Sequence, residues 1–440
     1  MLEVHIVVGC QWGDEGKGKW IDVLSADCDM VARYQGGNNA GHTLWIEGQK
    51  YVLNHLPSGV FRPSVVNVLL AGMVINPLHL LSEIRSLPNT ITLDEHRLWI
   101  SRRCHVITPW HLWLDEQREL RRPCGIGTTK KGIGPAYADR TSRIGLCLEH
   151  AVDSTKRRAW MEAMAKEWGE FEGFVKSHEK LWQDFEEALV CLSPYLCDAE
   201  HRLRQKWKAG KDKKHQKILC EGAQGTLLDV CHGTYPFVTS SHTIAAGALV
   251  SLGWGCGESI HTIGIAKAYT TRVGAGPFPT ELTCANGQIL AEKGQEKGAT
   301  TGRDRRCGWL DLVALRYSCE VNGLDEIYLN KLDILCYLPS LKVCVGYEHP
   351  LLGRIDYFPS DHHILSELTC VYREFLSWDL DELTSLQHAC KHATTPAQRS
   401  VSLLGSSMLN YISFIEEFCG VPVTRVGIGA AREAYLSKET

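Results

Sequence analysis

The sequence predicts an α/β fold with a central, largely parallel β-sheet flanked by helices. Three observations predict it. A short β-branched run, Val4 to Gly9, is followed at once by glycines and then by a helix-like segment from about Gly18. Similar apolar runs recur at Val65 to Ile75, Lys217 to Cys220, His261 to Tyr269, Glu326 to Leu329, Leu341 to Val345 and Val423 to Ile428, with helix-like stretches between several of them. The 440 residues, 44% hydrophobic and 22% charged, suffice for a large core, in one large domain or two smaller ones.

Between about Ser154 and Gln216 the pattern changes. Trp160, Met164, Trp168, Phe171, Phe174, Leu181, Phe185 and Leu189 fall roughly at helical spacing among Lys and Glu, which predicts a helical, peripheral segment with an aromatic packing face. The basic stretch RLRQKWKAGKDKKHQK at its end reads as a solvated helix end and loop, with a polyanion patch as the alternative.

Composition excludes several classes. A formal net charge of -4 supplies no overall basic field for nucleic acid. The N-terminus lacks a basic n-region and no apolar stretch is long enough to span a bilayer, so neither a secretory signal nor an anchor is expected. Eighteen cysteines are scattered along the chain, several inside apolar runs, as at Cys220, Cys319, Cys336 and Cys344; this predicts a reducing, cytoplasmic setting. Neither CxxC nor HExxH occurs.

The chemistry is concentrated in glycine-rich segments. Gly9-Cys10-Gln11-Trp12-Gly13-Asp14-Glu15-Gly16-Lys17-Gly18-Lys19 lies between the first strand and a helix, where glycines, unpaired N–H groups and lysines suit phosphate. Its lysine precedes Gly rather than Ser or Thr, so it is not a standard P-loop, and Asp14 is the candidate for holding Mg²⁺ or accepting a proton. A tight turn exposing Asp14 and Glu15 is the alternative. Tyr34-Gln35-Gly36-Gly37-Asn38-Asn39-Ala40-Gly41-His42-Thr43 adds a histidine able to titrate near neutrality.

Asn330-Lys331-Leu332-Asp333 follows a strand-like run and matches the NKxD pattern that reads guanine, in which a carboxylate accepts from the N1 and N2 hydrogens of the base. A surface strand end is the alternative. Thr300-Thr301-Gly302-Arg303-Asp304-Arg305-Arg306 offers hydroxyls and forked guanidiniums to carboxylates or phosphates. Gly127-Thr128-Thr129-Lys130-Lys131-Gly132-Ile133-Gly134-Pro135, followed by Arg140 and Arg143, is a further glycine and hydroxyl loop, or a purely structural one.

Taken in order, WGDEGKGK, YQGGNNAGHT, GTTxxGIGPAY, CEGAQGTLLDV with GTYPFVTSS, TRVGAGPFPTEL, TTGRDRRCGWLDL and NKLDIL resemble the adenylosuccinate synthetase family from about Val7 to Leu335, with a weaker echo near Gly427. The resemblance implies one large domain over 1–440, P-loop-NTPase-like with helical insertions, that acts as a homodimer. It implies GTP-dependent ligation of IMP and L-aspartate through 6-phosphoryl-IMP, with one Mg²⁺ per subunit held by Asp14 and the Gly41 carbonyl. Asp14 becomes the general base for the N1 proton of IMP, His42 the acid on the phosphoryl-transfer side, and Gln224 the group that orients the purine amide.

The same resemblance places Gly13, Glu15, Gly16, Lys17, Gly18, Lys19, Gly41, His42, Thr43, Arg305, Lys331, Leu332, Asp333, Gly427, Ile428 and Gly429 around GTP. IMP is assigned to Asp14, Glu15, Gly16, Lys17, Asn39, Ala40, Gly41, His42, Thr129, Gln224, Thr239 and Arg303, with Arg143 reaching in from a second subunit. Aspartate is assigned to Ala299, Thr300, Thr301, Gly302, Arg303, Asp304 and Arg305. Some positions depart from the family pattern: Lys130 for glycine, Arg140 for lysine, His242 for asparagine before Ala245-Ala246, and Gly427-Ile428-Gly429-Ala430-Ala431 for Ser-Thr-Gly-Pro-Asp. These are expected to tune affinity, since both proton-transfer residues remain. A GTP-hydrolysing regulator and an inactive homologue are the competing readings; Gln224, Arg303 and the second substrate set oppose the first.

Overall fold

The opening β-branched run forms β1 (Leu2–Gly9), and parallel neighbours pair along both of its edges. A computed structural model describes residues 2–46, 48–122, 125–210, 216–255, 259–298, 302–393 and 395–438. The other strands of the main sheet are β2 (Met30–Arg33), β3 (Val66–Leu69), β4 (Leu98–Ser101), β5 (Leu196–Cys197), β6 (Gln216–Glu221), β7 (Ile260–Lys267), β8 (Glu326–Asn330), β9 (Val423–Gly427) and β10 (Tyr435–Ser437). They lie in the order β10-β9-β8-β7-β1-β6-β2-β3-β4-β5, and every adjacent pair is parallel except β9 with β10.

Because the strands are parallel, Gly9, Arg33, Glu221, Lys267, Asn330 and Gly427 end on one edge of the sheet. The chain order reverses on either side of β1, so a crevice opens beyond these carboxyl ends. The loop after β1 leads into helix α1 (Lys17–Leu24), whose N-cap is Gly16 with φ +92°. Both sheet faces are covered, which accounts for the continuous burial along β2 and β4.

Some expectations are corrected. The Val65 to Ile75 run is two strands, because the chain turns at Ala71-Gly72 and Val74–Ile75 pairs with His105–Val106 instead. The Leu341 to Val345 run lies outside the main sheet: Ser340–His349 pairs antiparallel with Thr369–Leu376 in a separate four-stranded sheet. The helical reading of about 154–216 holds for Ser154–Glu167, Phe171–Ser177, Glu179–Leu192 and Ala199–Gly210. However, Leu196–Cys197 forms the edge strand β5 and Gln216 already begins β6, while 211–215 lie outside the described residues. Leu181 falls on the exposed side of its helix, because only the residues in register with Trp182 and Phe185 turn inward.

The aromatic stripe is a packing face. Trp160, Met164, Trp168, Phe171, Phe174, Phe185 and Leu189 share one core cluster with Trp110 of the helix Pro109–Arg121. Trp110 is fully buried and meets Phe171 edge-on at 5.4 Å and 80°. Trp110→Ala is therefore expected to cost about 3–5 kcal/mol, read as a lower urea midpoint at unchanged slope.

Candidate functional site

The loop after β1 is shaped from inside by Glu15. Its carboxylate, 1% exposed, accepts the N–H groups of Gln11 at 3.0 Å and Gly13 at 2.8 Å and the ammonium of Lys17 at 2.7 Å. Lys17 also donates to the Gln224 carbonyl. Asp14, held at φ +60°, is thrown outward. Gly16 has no room for a side chain, since a Cβ there would sit 2.7 Å from Asn330 Nδ2. The Asn330 amide in turn donates to the Glu15 carbonyl at 2.6 Å and accepts from Trp20 Nε1 at 2.9 Å. Lys19 donates to the carbonyls of Gly429 and Ala434, each at 2.8 Å. Both Lys17 and Lys19 thus hold protein carbonyls. No side chain caps α1, which leaves its first backbone N–H groups for an anion.

His42 approaches from the other side of the crevice. Its Nδ1 pairs with Glu221 Oε1 at the end of β6, and Glu221 is further held by the Ser58 N–H at 2.8 Å and the Ser58 hydroxyl at 2.6 Å. Burial pulls the His42 imidazole below its usual pKa, and the Glu221 charge opposes that pull. Burial alone would raise the Glu221 pKa; His42, Arg33 and Ser58 outweigh it and hold the carboxyl below its ordinary value. The outer nitrogen of His42, Nε2, is buried without a partner, and so are both amide atoms of Gln224, a residue held at φ +56°.

Beyond the end of β8, Lys331 sits at φ +66° and donates to the Gly294 carbonyl at 2.7 Å. Asp333 Oδ1 is buried without a partner, and burial raises its carboxyl pKa. Leu332 and Ile428 face the core, with their carbonyls taken by Trp378 and Gln387.

These groups surround one cavity of about 730 Å³. Asp14 and His42, on separate loops, both line it, with Gly13, Glu15, Gly16, Lys17, Gly18, Lys19, Asn39, Ala40, Gly41, Thr43, Thr129, Gln224, Thr239, Arg303, Arg305, Lys331, Asp333 and Gly429. Asn39 Nδ2 donates to Thr239 Oγ1 at 3.4 Å, and Arg303 donates to the Gly127 carbonyl at 3.0 Å. Arg305 is shared: its Nε reaches Asp14 at 2.8 Å and its Nη1 reaches Glu296 at 2.5 Å.

Other assigned residues stay off the wall. Leu332, Gly427 and Ile428 do not line the cavity, nor do Gly302 and the exposed Asp304, which faces Lys297 at 3.8 Å. Arg143 ends the helix Ile133–Ser142 at φ +64°, exposed and away from the lining. Ala299, Thr300 and Thr301 lie outside the described residues. Lys130 takes φ +55°, so its loop does use the left-handed conformation at that position, and Arg140 donates to the Ala71 carbonyl at 3.1 Å.

Sequence reasoning missed Glu221, Glu296 and the structural duty of Asn330. The signal for Glu221 was a carboxylate closing an apolar strand; Glu296, between polar residues, carried none.

The sequence model of the adenylosuccinate synthetase family matches residues 6–436. The chain belongs to this family. It is 41% identical over 446 residues to adenylosuccinate synthetase from Caldicellulosiruptor bescii, with 100% of both chains covered, and 42% identical over 440 residues to that from Heliobacterium modesticaldum, with 98% of each covered. The fold is similar to the fully ligated adenylosuccinate synthetase of Plasmodium falciparum, with a TM-score of 0.89, 34% identity, and 99% and 100% of the two chains covered. Succinoaminodeoxyadenylate synthetase of cyanophage S-2L, at TM-score 0.62 and 20% identity over 100% and 96% of the chains, shares the fold. The chain is thus a carbon–nitrogen ligase of AMP biosynthesis, whose family joins IMP and L-aspartate at the expense of GTP.

Burial brings the Lys19 pKa down to about 8, although Asp333 and Glu433 oppose the fall. Deprotonation weakens the grip of Lys19 on the Gly429 and Ala434 carbonyls, so KM for GTP is expected to rise between pH 7 and 9 and to stay flat in Lys19→Arg. Stability should improve over the same rise. The native pKa lies below the usual lysine value of 10.5, so a protonated Lys19 opposes folding, and that penalty is relieved as pH rises from about 8 toward 10.5. Steady-state kinetics and urea unfolding across that range check both trends.

Proposed function

We propose that Asp14 removes the N1 proton of IMP while His42 serves the phosphoryl-transfer side, so that O6 attacks the γ-phosphate of GTP, GDP leaves as the β,γ P–O bond breaks, and the aspartate amino group then displaces phosphate at C6. Each step meets a physical need. Withdrawing the N1 proton raises the nucleophilicity of O6, and phosphorylation converts a poor leaving group into a good one. The observation that carries this reading is the set of buried, unpartnered polar atoms on one cavity: His42 Nε2, both amide atoms of Gln224, and Asp333 Oδ1. Buried polar groups are rarely left unpaired, so each of these calls for a ligand atom.

Gln224 orients the purine amide, Asp333 accepts from the guanine N1 and N2 hydrogens, and the N-terminus of α1 receives phosphate. IMP lies against Asn39, Thr129, Thr239 and Arg303, and aspartate against the 299–305 loop. The Asp14–Arg305 ion pair opens when substrate carboxylate or phosphate takes over the guanidinium, which releases Asp14 for proton transfer. Glu296 keeps the other face of Arg305 in place during that exchange.

Asp14 and Gly41 both line the cavity, and a carboxylate and a backbone carbonyl are the hard oxygen donors that Mg²⁺ prefers; they would hold one ion per subunit. When bound, that ion neutralises charge on the transferring phosphoryl group. We assign the whole chain, 1–440, to one catalytic domain that works as a cytoplasmic homodimer. The exposed Arg143 serves the neighbouring subunit's IMP site. Cysteines left free among the described residues support that setting.

Purified protein with GTP, Mg²⁺, IMP and aspartate should form a 6-substituted purine detectable by its absorbance, and leaving out any one component should silence it. GTP hydrolysis indifferent to IMP would indicate a nucleotide switch instead. Asp14→Asn is expected to lower kcat by about 10²–10⁴-fold with nucleotide binding retained; undiminished turnover overturns its role as base. Arg143→Ala should raise KM for IMP without disturbing the fold, and sedimentation should show a dimer.

A further inference from the structure

We propose that Asp229, Cys231 and His242 form a binding site for a zinc-type divalent cation on the loop that carries Thr239 into the cavity wall. One carboxylate oxygen, the Cys231 sulfur and one imidazole nitrogen lie within 4.8 Å of one another. A thiolate, an imidazole and a carboxylate are the donor set of Zn²⁺ and related borderline-soft ions, distinct from the all-oxygen set expected for Mg²⁺.

The backbone holds the three residues together. Asp229 is fully buried and staples both ends of its loop, accepting from the N–H of Cys231 at 2.8 Å and His232 at 3.1 Å on one side and Thr243 at 2.6 Å on the other. Val230 N–H donates to the Ser241 carbonyl at 3.3 Å, closing the neck of the loop directly beside Cys231 and His242. Between these ends Thr239 N–H donates to the Leu228 carbonyl at 2.9 Å, and Thr239 and Ser240 line the cavity.

The electrostatics favour a cation. Among the described residues no Lys or Arg pairs with Asp229; its one ion-pair partner is the His242 imidazole, Nδ1 at 3.7 Å. Cys231 and His242 are exposed, so an ion can enter from solvent and complete its coordination with water. A second trio, His55, His79 and Glu83, has similar spacing but different chemistry. His55 Nε2 accepts the Asn76 N–H at 3.1 Å, so its proton sits on Nδ1, the atom a metal would need.

The test follows alkylation of individual cysteines by peptide mass spectrometry in the full chain. Zn²⁺ at micromolar concentration should slow iodoacetamide labelling of Cys231 by about tenfold, because metal ties up the nucleophilic thiolate. The exposed Cys191 and Cys284 serve as internal controls and should label at unchanged rates. EDTA should restore Cys231, Mg²⁺ should not protect it, and His242→Asn should cut the protection below about twofold. Co²⁺ should give a thiolate-to-metal charge-transfer band that Cys231→Ser removes. No protection of Cys231, equal protection of all three cysteines, full protection in His242→Asn, or a band that survives Cys231→Ser would each overturn the site.

Discussion

The site depends on one buried carboxylate. Glu15 gathers two backbone N–H groups and the Lys17 ammonium into the interior of its own loop. Without that template the chain from Gln11 to Gly16 would have no reason to hold Asp14 in a left-handed conformation with its carboxylate outward. Lys17 passes the constraint on through the Gln224 carbonyl, and Asn330 passes it to β8. The Asp14 loop, Gln224 and the strand end at Asn330 are therefore fixed relative to one another before any nucleotide arrives. Such preorganisation lowers the cost of reaching the reactive geometry.

Charge is arranged in a second chain behind the first. Buried Lys267 and Arg305 both pair with Glu296, Tyr269 donates its hydroxyl to the same carboxylate, and Arg305 continues to Asp14. Burial would raise the Glu296 pKa, yet Lys267, Lys331 and Arg305 bring it down to about 2, so the carboxylate is ionised at neutral pH. A guanidinium anchored on one side and exchangeable on the other can change partners without becoming an uncompensated buried charge.

What the residues disclosed in advance follows from period and length. The runs that became β1, β6, β7, β8 and β9 are apolar, β-branched and bounded by polar or glycine residues, and burial on both faces writes that pattern directly. Met30–Arg33 was overlooked because it is four residues long and ends in an arginine that is fully buried in the structure, and Leu98–Ser101 because a charged segment precedes it. Local motifs displayed Asp14, His42 and Asp333, since glycine-rich loops concentrate a few polar side chains, whereas Gln224 came only through the family resemblance. Glu221 and Glu296 were illegible for the opposite reason. Each acts on a residue more than eight positions away through folding, and no short-range pattern records such a pairing.

Asn330 and Asp333 stand three residues apart in one motif but carry different burdens. Asn330 commits its amide to the Glu15 loop and the Trp20 indole, whereas Asp333 keeps an oxygen with no partner among the described residues. On the proposed pairing of Asp333 with guanine, a lineage drifting toward another energy donor can therefore rewrite that carboxylate with little structural penalty. A change at Asn330 would disturb the whole crevice, so mutational routes to new nucleotide preference are funnelled through the carboxyl-bearing position and closed at the amide-bearing one.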